Sequence, residues 1–348
     1  MKARKHKIFF VAQDMGGCNA LLPVYSRLKR NRHYKTSALF GPVCKPYIRA
    51  NGARFVKPGD DPKRAVEKHL TSYEPDVVVV GISIGMSLDK HAVAWARKHG
   101  VPTLGIAESW GDTVMGFSTP GTKDLAFEPD RMCVVDDFLK KRMAKEGFEP
   151  SRLAVTGNPY FDSLAKKKLN RQGRKAVYFF CQPFSEMPGL KTGLDEVRVF
   201  GDLVQALEEL EPDLPVVIRF HPRTKNRHKF DSIITDSPLH IIIDKSKNME
   251  TALERAELVT GMFGATLFEA ALMGKKVLSC LPTLTIPDPL MSNRLRLSVP
   301  VYRKRDLVPK MKALLEDKNH EKTSSAIRKR YVHGRATENV INQIESLV

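Results

Sequence analysis

Long hydrophobic runs are missing from this sequence of 348 residues. A helix that crosses a bilayer needs roughly 20 consecutive apolar residues, and no stretch of the chain comes near that length. The apolar stretch near the first residue ends at Gln13 and Asp14. It is too short for the core of a secretory signal and is more typical of a β-strand. These absences argue against an integral membrane protein and predict a cytoplasmic one.

Cysteine is scarce, and the common metal-binding motifs are absent. The chain has five cysteines and no Cys-x-x-Cys pair, which favours reduced thiols over a disulfide framework or a zinc site. Neither Asp-x-Asp nor His-Glu-x-x-His occurs, and the histidines and cysteines do not cluster. The sequence therefore gives no reason to expect a protein-bound metal ion.

Acidic residues are scarce near the start of the chain. Residues 1–50 contain eleven lysines and arginines but a single acid, Asp14, and the whole chain has a formal net charge of +18. Such a field attracts polyanions, although a charged surface can also serve solubility alone. Nucleic-acid binding is a remote alternative, because the chain lacks the signatures of the RRM, KH, zinc-finger and helix-turn-helix modules.

Short apolar runs alternate with amphipathic stretches along the chain, and the pattern restarts after Lys175. The runs are apolar on both faces and rich in β-branched residues, which is typical of parallel sheets covered by helices. Strands are predicted at 7–13, 35–40, 76–82, 101–107, 132–136, 153–157, 176–182, 215–221, 239–244, 256–261 and 276–280. Helices are predicted at 62–73, 87–99, 192–210 and 264–273, and the stretch 324–348 is also expected to be helical.

This pattern predicts an α/β protein with two Rossmann-like domains. We place the domains at 1–165 and 172–348, joined by the basic segment 165–175, with the last helix free to pack against the first domain. In open parallel sheets, ligands bind at the carboxyl ends of the strands. The loops that follow the strands are therefore the places to look for functional residues.

In the first block, two such loops stand out. Gly16 and Gly17 would let backbone amides approach an anion at the start of a helix, unless they form a plain tight turn. Asp14 in the same loop is a candidate base. Glu108 and Asp112 flank a tryptophan after a buried strand. Because desolvation raises the pKa of a carboxyl group, either acid suits general base catalysis, with helix capping or a surface turn as the alternative.

In the second block, His221 and Arg223 follow a buried strand, where imidazole and guanidinium groups suit phosphate oxygens. A glycine-rich turn then opens an apolar helix that carries Glu269 about one turn inside. That carboxylate could accept two hydrogen bonds from a vicinal diol such as ribose, or could simply face solvent. The turn itself consists of Gly264, Ala265 and Thr266.

Three segments resemble the GT-B superfamily, which includes UDP-N-acetylglucosamine 2-epimerase, the peptidoglycan MurG enzyme, and the capsule and teichoic-acid transferases. They are "VTGNPYFDSL" (155–164), "GATLFEAALMGKKVL" (264–278) and "FHPR" (220–223). The resemblance implies parallel sheets that face an interdomain cleft, with an acceptor domain first and a nucleotide-sugar donor domain second. It also implies that Glu269 binds the ribose hydroxyls, that the 264–266 turn contacts the diphosphate, and that His221 contacts the donor phosphate.

Two departures from the epimerase pattern stand beside this resemblance. The epimerase has a His-Arg-Arg-Glu-Asn motif where this chain has "CQPFSEMPG" (181–189). It also has a catalytic aspartate after the strand that matches 76–82, where "GISIGMS" offers none. Glu108 fits the family's glutamate. Because the nucleotide-binding half matches better than the epimerisation chemistry, we expect transfer instead of epimerisation.

The sequence thus predicts a metal-independent glycosyltransferase of cell-surface polysaccharide or glycolipid synthesis. Its donor would be a sugar linked to UDP, CDP or CMP, with no further cofactor. Glu108 would be the first choice of base, followed by Asp14 and Asp112, and Arg223 would stabilise the leaving group. Expected partners are an anionic or lipid-linked acceptor, an anionic membrane face and a second copy of the chain. The alternatives are a nucleotide-sugar epimerase or hydrolase and a CDP-glycerol-type glycerophosphotransferase.

Overall fold

The computed structural model describes residues 4–45, 52–57, 59–111, 113–166, 175–187, 191–211, 213–246 and 249–348. The strands are β1 (His6–Ala12), β2 (Tyr34–Phe40), β3 (Ala53–Phe55), β4 (Val77–Val80), β5 (Thr103–Ile106), β6 (Arg131–Val134), β7 (Leu153–Val155), β8 (Ala176–Cys181), β9 (Val216–Phe220), β10 (Ile241–Ile243), β11 (Ala256–Gly261), β12 (Lys276–Cys280) and β13 (Val299–Val301).

The helices alternate with these strands. They are α1 (Met15–Lys29), α2 (Pro62–Tyr73), α3 (Leu88–Lys98), α4 (Thr113–Phe117), α5 (Asp137–Lys145), α6 (Pro159–Lys166), α7 (Glu196–Leu210), α8 (Asp231–Asp236), α9 (Met249–Arg255), α10 (Ala265–Leu272), α11 (Met291–Arg294), α12 (Leu307–Glu316), α13 (His320–Tyr331) and α14 (Ala336–Glu345). No helix in the described ranges is both long enough and apolar enough to cross a membrane.

The chain divides into two compact units. Unit 1 contains Met1–Ser163 together with Tyr331–Val348, and unit 2 contains Leu164–Arg330. Of the basic segment expected to join the domains, residues 167–174 lie outside the described part of the chain. Each unit is an α/β layer structure around its own parallel sheet, which confirms the predicted fold class.

Unit 1 is built on the strand order β3-β2-β1-β4-β5-β6-β7. The central strands are apolar on both faces because helices cover the sheet on either side. In β1, the five residues Ile8–Ala12 are all fully buried, as are all four valines of β4. In register, Phe10 of β1 lies between Ala38 of β2 and Val79 of β4. This order brings the carboxyl ends of β1, β4 and β5 to the centre of one sheet edge.

The last helix completes the core of unit 1. Val340, Ile341 and Ile344 of α14 pack into the same cluster as Val24 and Tyr25 of α1. A helix with one apolar face is stable only when that face is covered, so α1 and α14 protect each other from water.

Unit 2 has the strand order β10-β9-β8-β11-β12-β13. Phe179 of β8 and Phe200 of α7 are fully buried and lie 5.1 Å apart between ring centres, at the middle of its core. The carboxyl ends of β8, β9 and β11 are neighbours in the sheet. The loops that leave these three strands therefore begin at one edge.

Candidate active site

Three glycines let the backbone of unit 1 close up around the start of α1. A methyl group at Gly16 would lie 3.0 Å from Oε1 of Glu108, and one at Gly81 would lie 3.0 Å from the Cα of Gly17. Any side chain larger than hydrogen would push these segments apart. The glycines therefore allow the loop after β5 and the end of β4 to approach the amino end of α1.

Glu108 is a partly buried acid just after the end of β5. Its Oε2 atom is inaccessible and has no hydrogen-bond partner among the described residues. Burial raises the pKa of Glu108 to about 8, and the negative charges of Asp89 and Asp14 add to this increase. A carboxyl group with this pKa is mostly protonated at neutral pH, so Glu108 can donate a proton.

Asp89 is a second buried acid, in the first turn of α3. The residue is 2% exposed, and both of its carboxyl oxygens are inaccessible to solvent. A methyl group at Gly81 would lie 3.3 Å from its Oδ1 atom. Burial raises the pKa of Asp89 to about 6, although the nearby hydroxyls of Ser83 and Ser87 act in the opposite direction. Asp89 is therefore mostly ionised at neutral pH and can accept a proton.

We call Asp89 and Glu108 the carboxyl pair. The charge of Asp89 raises the pKa of Glu108, and the charge of Asp14 raises the pKa of both acids. Both therefore belong to one electrostatic site at the start of α1. Sequence reasoning missed Asp89. A serine followed by an acid at the start of a helix is the usual capping pattern, and Ser87 does accept a hydrogen bond from the Lys90 amide.

Ser83 lies between the end of β4 and the carboxyl pair, within the sequence Gly81-Ile82-Ser83-Ile84-Gly85. Hydrolases place a nucleophilic serine in the same Gly-x-Ser-x-Gly pattern. Here Ser83 is 3% exposed and is not among the residues with positive φ. It lacks the strained, exposed turn of a nucleophile elbow, so we assign it to the surroundings of Asp89.

The other residues predicted in this region have different positions. Asp14 precedes α1 and is exposed, and its side chain makes no capping hydrogen bond. It adds negative charge beside the carboxyl pair. Asp112 lies outside the described residues. The tryptophan next to Glu108, Trp110, donates to Asp136 at 3.0 Å and packs near Phe161, so it belongs to a structural cluster.

In unit 2, His221 and Arg223 lie on an exposed loop after β9. The Arg223 amide donates to Nδ1 of His221 at 3.1 Å. Partial burial lowers the pKa of His221, and the Arg223 charge lowers it further. A neutral imidazole whose Nδ1 accepts a hydrogen bond carries its proton on Nε2. His221 can therefore donate one hydrogen bond to an anion, beside the cationic guanidinium.

The glycine turn of unit 2 opens α10. Gly264 is extended and precedes the first helical residue, Ala265, so the amides of Ala265 and Thr266 stand at the helix amino end. A methyl group at Gly264 would lie 2.5 Å from the amide nitrogen of Gln182. The Oε1 atom of Gln182 is buried without a partner in the part of the chain that the structure describes. Glu269 is half-buried in α10.

An ion-pair network occupies the loops after β8 and β9, where the epimerase motif is absent. Glu186 accepts from the Lys225 amide at 2.7 Å and from Nζ of Lys229 at 3.1 Å. Lys229 also binds Glu196, which is completely buried. Burial alone would raise the pKa of Glu196, but Lys229 and Ser185 hold it below the usual value. Lys229 is thus shared between two carboxylates, and the network links the two loops to each other.

The chain is similar to known proteins in both sequence pattern and fold. The family model described as UDP-N-acetylglucosamine 2-epimerase matches residues 130–345. The chain belongs to this epimerase family. By sequence alone, no curated protein matches the chain.

Solved structures share the fold of this chain at low sequence identity. UDP-GlcNAc 2-epimerase from Neisseria meningitidis, bound to UDP-GlcNAc, is 14% identical with a TM-score of 0.72, over 98% of this chain and 100% of that one. The Methanocaldococcus jannaschii enzyme is 15% identical with a TM-score of 0.74, over 98% and 99%. A glycotransferase of kitacinnamycin also matches, at 15% identity and a TM-score of 0.67 over 99% and 100%.

The prediction of a glycosyltransferase is wrong. The family match and the epimerase structures support the alternative that the sequence analysis ranked second. The expectation of transfer rested on two missing groups, the motif replaced by residues 181–189 and a carboxylate after β4. In the folded chain, Asp89 reaches the end of β4 from the first turn of α3, next to Gly81. Epimerisation needs no acceptor, so the expected anionic or lipid-linked acceptor is not proposed for this protein.

Proposed function

We propose that this protein epimerises a UDP-linked N-acetylhexosamine at C2 of the sugar. The carboxyl pair carries the proposal, because its two acids have opposite protonation states at neutral pH. The pKa of Asp89 is about 6 and that of Glu108 is about 8. Pairs of titratable groups with pKa values pushed apart mark an acid and a base. Epimerisation needs both, since a proton leaves one face of C2 and another arrives on the opposite face.

The proposed reaction balances without an oxidant. Asp89 takes the C2 proton while the bond from C1 to the diphosphate oxygen breaks, which leaves a 1,2-unsaturated sugar and UDP. Glu108 then delivers a proton to the other face of C2, and the diphosphate oxygen adds back to C1. The product is the C2 epimer of the substrate, and solvent restores the two carboxyl groups to their starting states.

Nucleotide binding is assigned to unit 2. The Nε2 proton of His221 and the guanidinium of Arg223 suit phosphate oxygens. The turn at Gly264 and the first amides of α10, those of Ala265 and Thr266, offer donors and a helix amino end to the diphosphate. Glu269 is proposed for the ribose hydroxyls. The structures of related epimerases with UDP-GlcNAc support this choice of nucleotide.

Proton exchange at C2 tests the proposal directly. The purified protein is incubated with UDP-GlcNAc in D2O without any acceptor, and proton NMR follows the C2 signal and the appearance of the C2 epimer. We expect deuterium at C2 together with epimer. Asp89→Asn and Glu108→Gln should each reduce the rate at least 100-fold, since a positioned acid or base contributes on the order of 10²–10⁴-fold.

Glu209 supplies the matched control, because it is an exposed acid in α7. Glu209→Gln should leave the rate unchanged. If UDP binds but neither deuterium nor epimer appears, the proposal fails. Stoichiometric release of UDP and free sugar would instead identify a hydrolysing enzyme.

A further inference from the structure

We propose that Asn158 is a positioning residue for Glu108, acting together with Arg142. These two side chains hold the backbone of the loop that carries Glu108, while the Oε2 atom of its carboxyl group has no hydrogen-bond partner among the described residues. The inference rests on the proposed acid role of Glu108. It also gives a physical function to the segment 155–164, which the sequence analysis singled out only by resemblance.

Asn158 is completely buried, and both ends of its amide are used. Its Nδ2 donates to the backbone oxygen of Glu108 at 2.6 Å. Its Oδ1 accepts from the Tyr160 amide at 2.8 Å. Because a backbone N–H can only donate and a carbonyl can only accept, these partners fix the orientation of the amide. Asn158 thus ties the start of α6 to the residue that holds the proposed acid.

Arg142 of α5 grips the same loop slightly further along. Its guanidinium donates to the backbone oxygen of Trp110 at 2.8 Å and to that of Gly111 at 2.5 Å. The Trp110 ring is fixed in turn by Asp136, which precedes α5. The carbonyls of residues 108, 110 and 111 are therefore all held by side chains from distant parts of the chain.

The backbone oxygen of Glu108 is hydrogen-bonded, whereas one oxygen of its carboxyl group is not. Its Oε2 atom is buried and has no partner among the described residues. A buried polar atom without a partner costs free energy, so a purely structural glutamate would be expected to bond there. A fixed backbone beside a carboxyl oxygen that is free to react is the arrangement that a positioned acid requires, because a displacement of about 1 Å can cost on the order of 100-fold in rate.

Two substitutions test the hydrogen bonds that hold this loop. Asn158→Ala removes the hydrogen bond to Glu108, and Arg142→Lys keeps the charge but gives up the fork that reaches two carbonyls. We expect kcat for C2 exchange to fall roughly 10- to 100-fold in Asn158→Ala, and less in Arg142→Lys, with KM nearly unchanged. The pKa of Glu108 should fall below 8 as water reaches the loosened loop, which moves the alkaline limb of the pH profile to lower pH.

Asn339 provides the control, since it donates to the backbone of Thr156 in the same segment at 3.2 Å without touching Glu108. Asn339→Ala should leave kcat and the pH profile unchanged. Carbon-13 NMR of glutamate carboxyl groups gives a readout that does not depend on activity, with the Glu108 signal assigned from its loss in Glu108→Gln. If Glu108 titrates as in the wild type in folded Asn158→Ala and Arg142→Lys, the inference fails. If its titration shifts but the wild type shows no C2 exchange, the proposed function fails and the positioning role stands.

Discussion

Burial acts on Asp89 and Glu108 in the same direction but with different results. At Asp89, the hydroxyls of Ser83 and Ser87 offset part of the desolvation, and the pKa stops at about 6. At Glu108, the neighbouring side chains Asp89 and Asp14 are both negative, and the pKa reaches about 8. The interval between these values is the range in which one acid is ionised and the other protonated. Both residues keep their reacting forms only there.

The activity should therefore depend on pH through two limbs. It should rise as Asp89 ionises near pH 6 and fall as Glu108 loses its proton near pH 8. Initial rates of C2 epimerisation between pH 5 and pH 10 measure both limbs. A rate that stays constant from pH 5 to pH 10 would contradict the assignment of these two acids.

The burial that raises the pKa of Glu108 should also make the stability of the fold depend on pH. The pKa of Glu108 is raised on folding, so its contribution is fully present below its unfolded pKa of about 4.5 and is lost as the pH rises through about 8. Glu108→Gln cannot ionise and should unfold at higher temperature than the wild type at pH 9, by about 2–4 °C for each kcal/mol of relieved burial. At pH 4 the two proteins should unfold at nearly the same temperature. An equal difference at both pH values would show that ionisation is not the cause.

The two acids also show what a sequence can and cannot reveal. Glu108 directly follows a predicted buried strand, so the strand-end rule points to it without any structure. Asp89 is separated from its strand by the loop 81–87, and its place in the first helical turn suggests a dipole interaction instead. Only the folded path of residues 81–88 shows that Asp89 returns to the end of β4.

At the scale of elements, the space around a glycine decides whether a larger side chain is tolerated there. Gly264 precedes α10, and a methyl group there would collide with the Gln182 amide at 2.5 Å. Gly201 lies inside α7, and a methyl group there would meet Ile233 at 3.5 Å, an ordinary contact. The same substitution should therefore have opposite consequences at these two positions.

Gly201→Ala should stabilise the protein by about 0.5–1 kcal/mol, because alanine loses less conformational freedom than glycine within a helix. Gly264→Ala should displace Gln182 or the turn and weaken UDP binding about tenfold or more. Denaturant unfolding and calorimetric titration with UDP measure the two effects. Unchanged UDP affinity in Gly264→Ala would remove the glycine turn from the proposed nucleotide site.

Elements with a strong periodic signal could be predicted closely. The helix predicted at 62–73 is α2 (Pro62–Tyr73), and that predicted at 264–273 is α10 (Ala265–Leu272). The edge strands β3 and β13 were missed, because Arg54 interrupts the apolar residues of β3 and Pro300 lies at the centre of β13, where proline argues against a strand. The final stretch is helical as predicted and contains α14 and most of α13, with Gly334 at a positive φ of 78° between them.

At the scale of the whole molecule, the fold class could be predicted because both blocks repeat the same alternation of buried strands and amphipathic helices. The reaction could not, since solved epimerases and a glycotransferase share this fold. Function depends on which side chains meet at the strand ends, and the absence of a motif in the sequence does not exclude a replacement from elsewhere.

Each unit should respond by itself to a cavity in its own core. Ile344 of α14 and Leu203 of α7 are both fully buried, in units 1 and 2 respectively. Replacing either by alanine should cost about 2–5 kcal/mol. The two tryptophans, Trp95 and Trp110, both belong to unit 1, so their fluorescence reports on that unit. Ile344→Ala should lower the fluorescence midpoint more than Leu203→Ala does, with circular dichroism as the control for unit 2. Equal fluorescence shifts would mean that the units unfold as one.

The return of the chain to unit 1 has a consequence for synthesis on the ribosome. Asp162 accepts from the amides of Gly334 and Ala336 at 2.6 and 2.7 Å, and α14 covers α1. The core of unit 1 therefore stays incomplete after its seven strands are translated, until all of unit 2 has emerged from the ribosome. During that interval the apolar face of α1 is open to water, to chaperones and to neighbouring nascent chains. Unit 2 is contiguous and can fold first, which brings the missing helix back to a partner that was translated long before it.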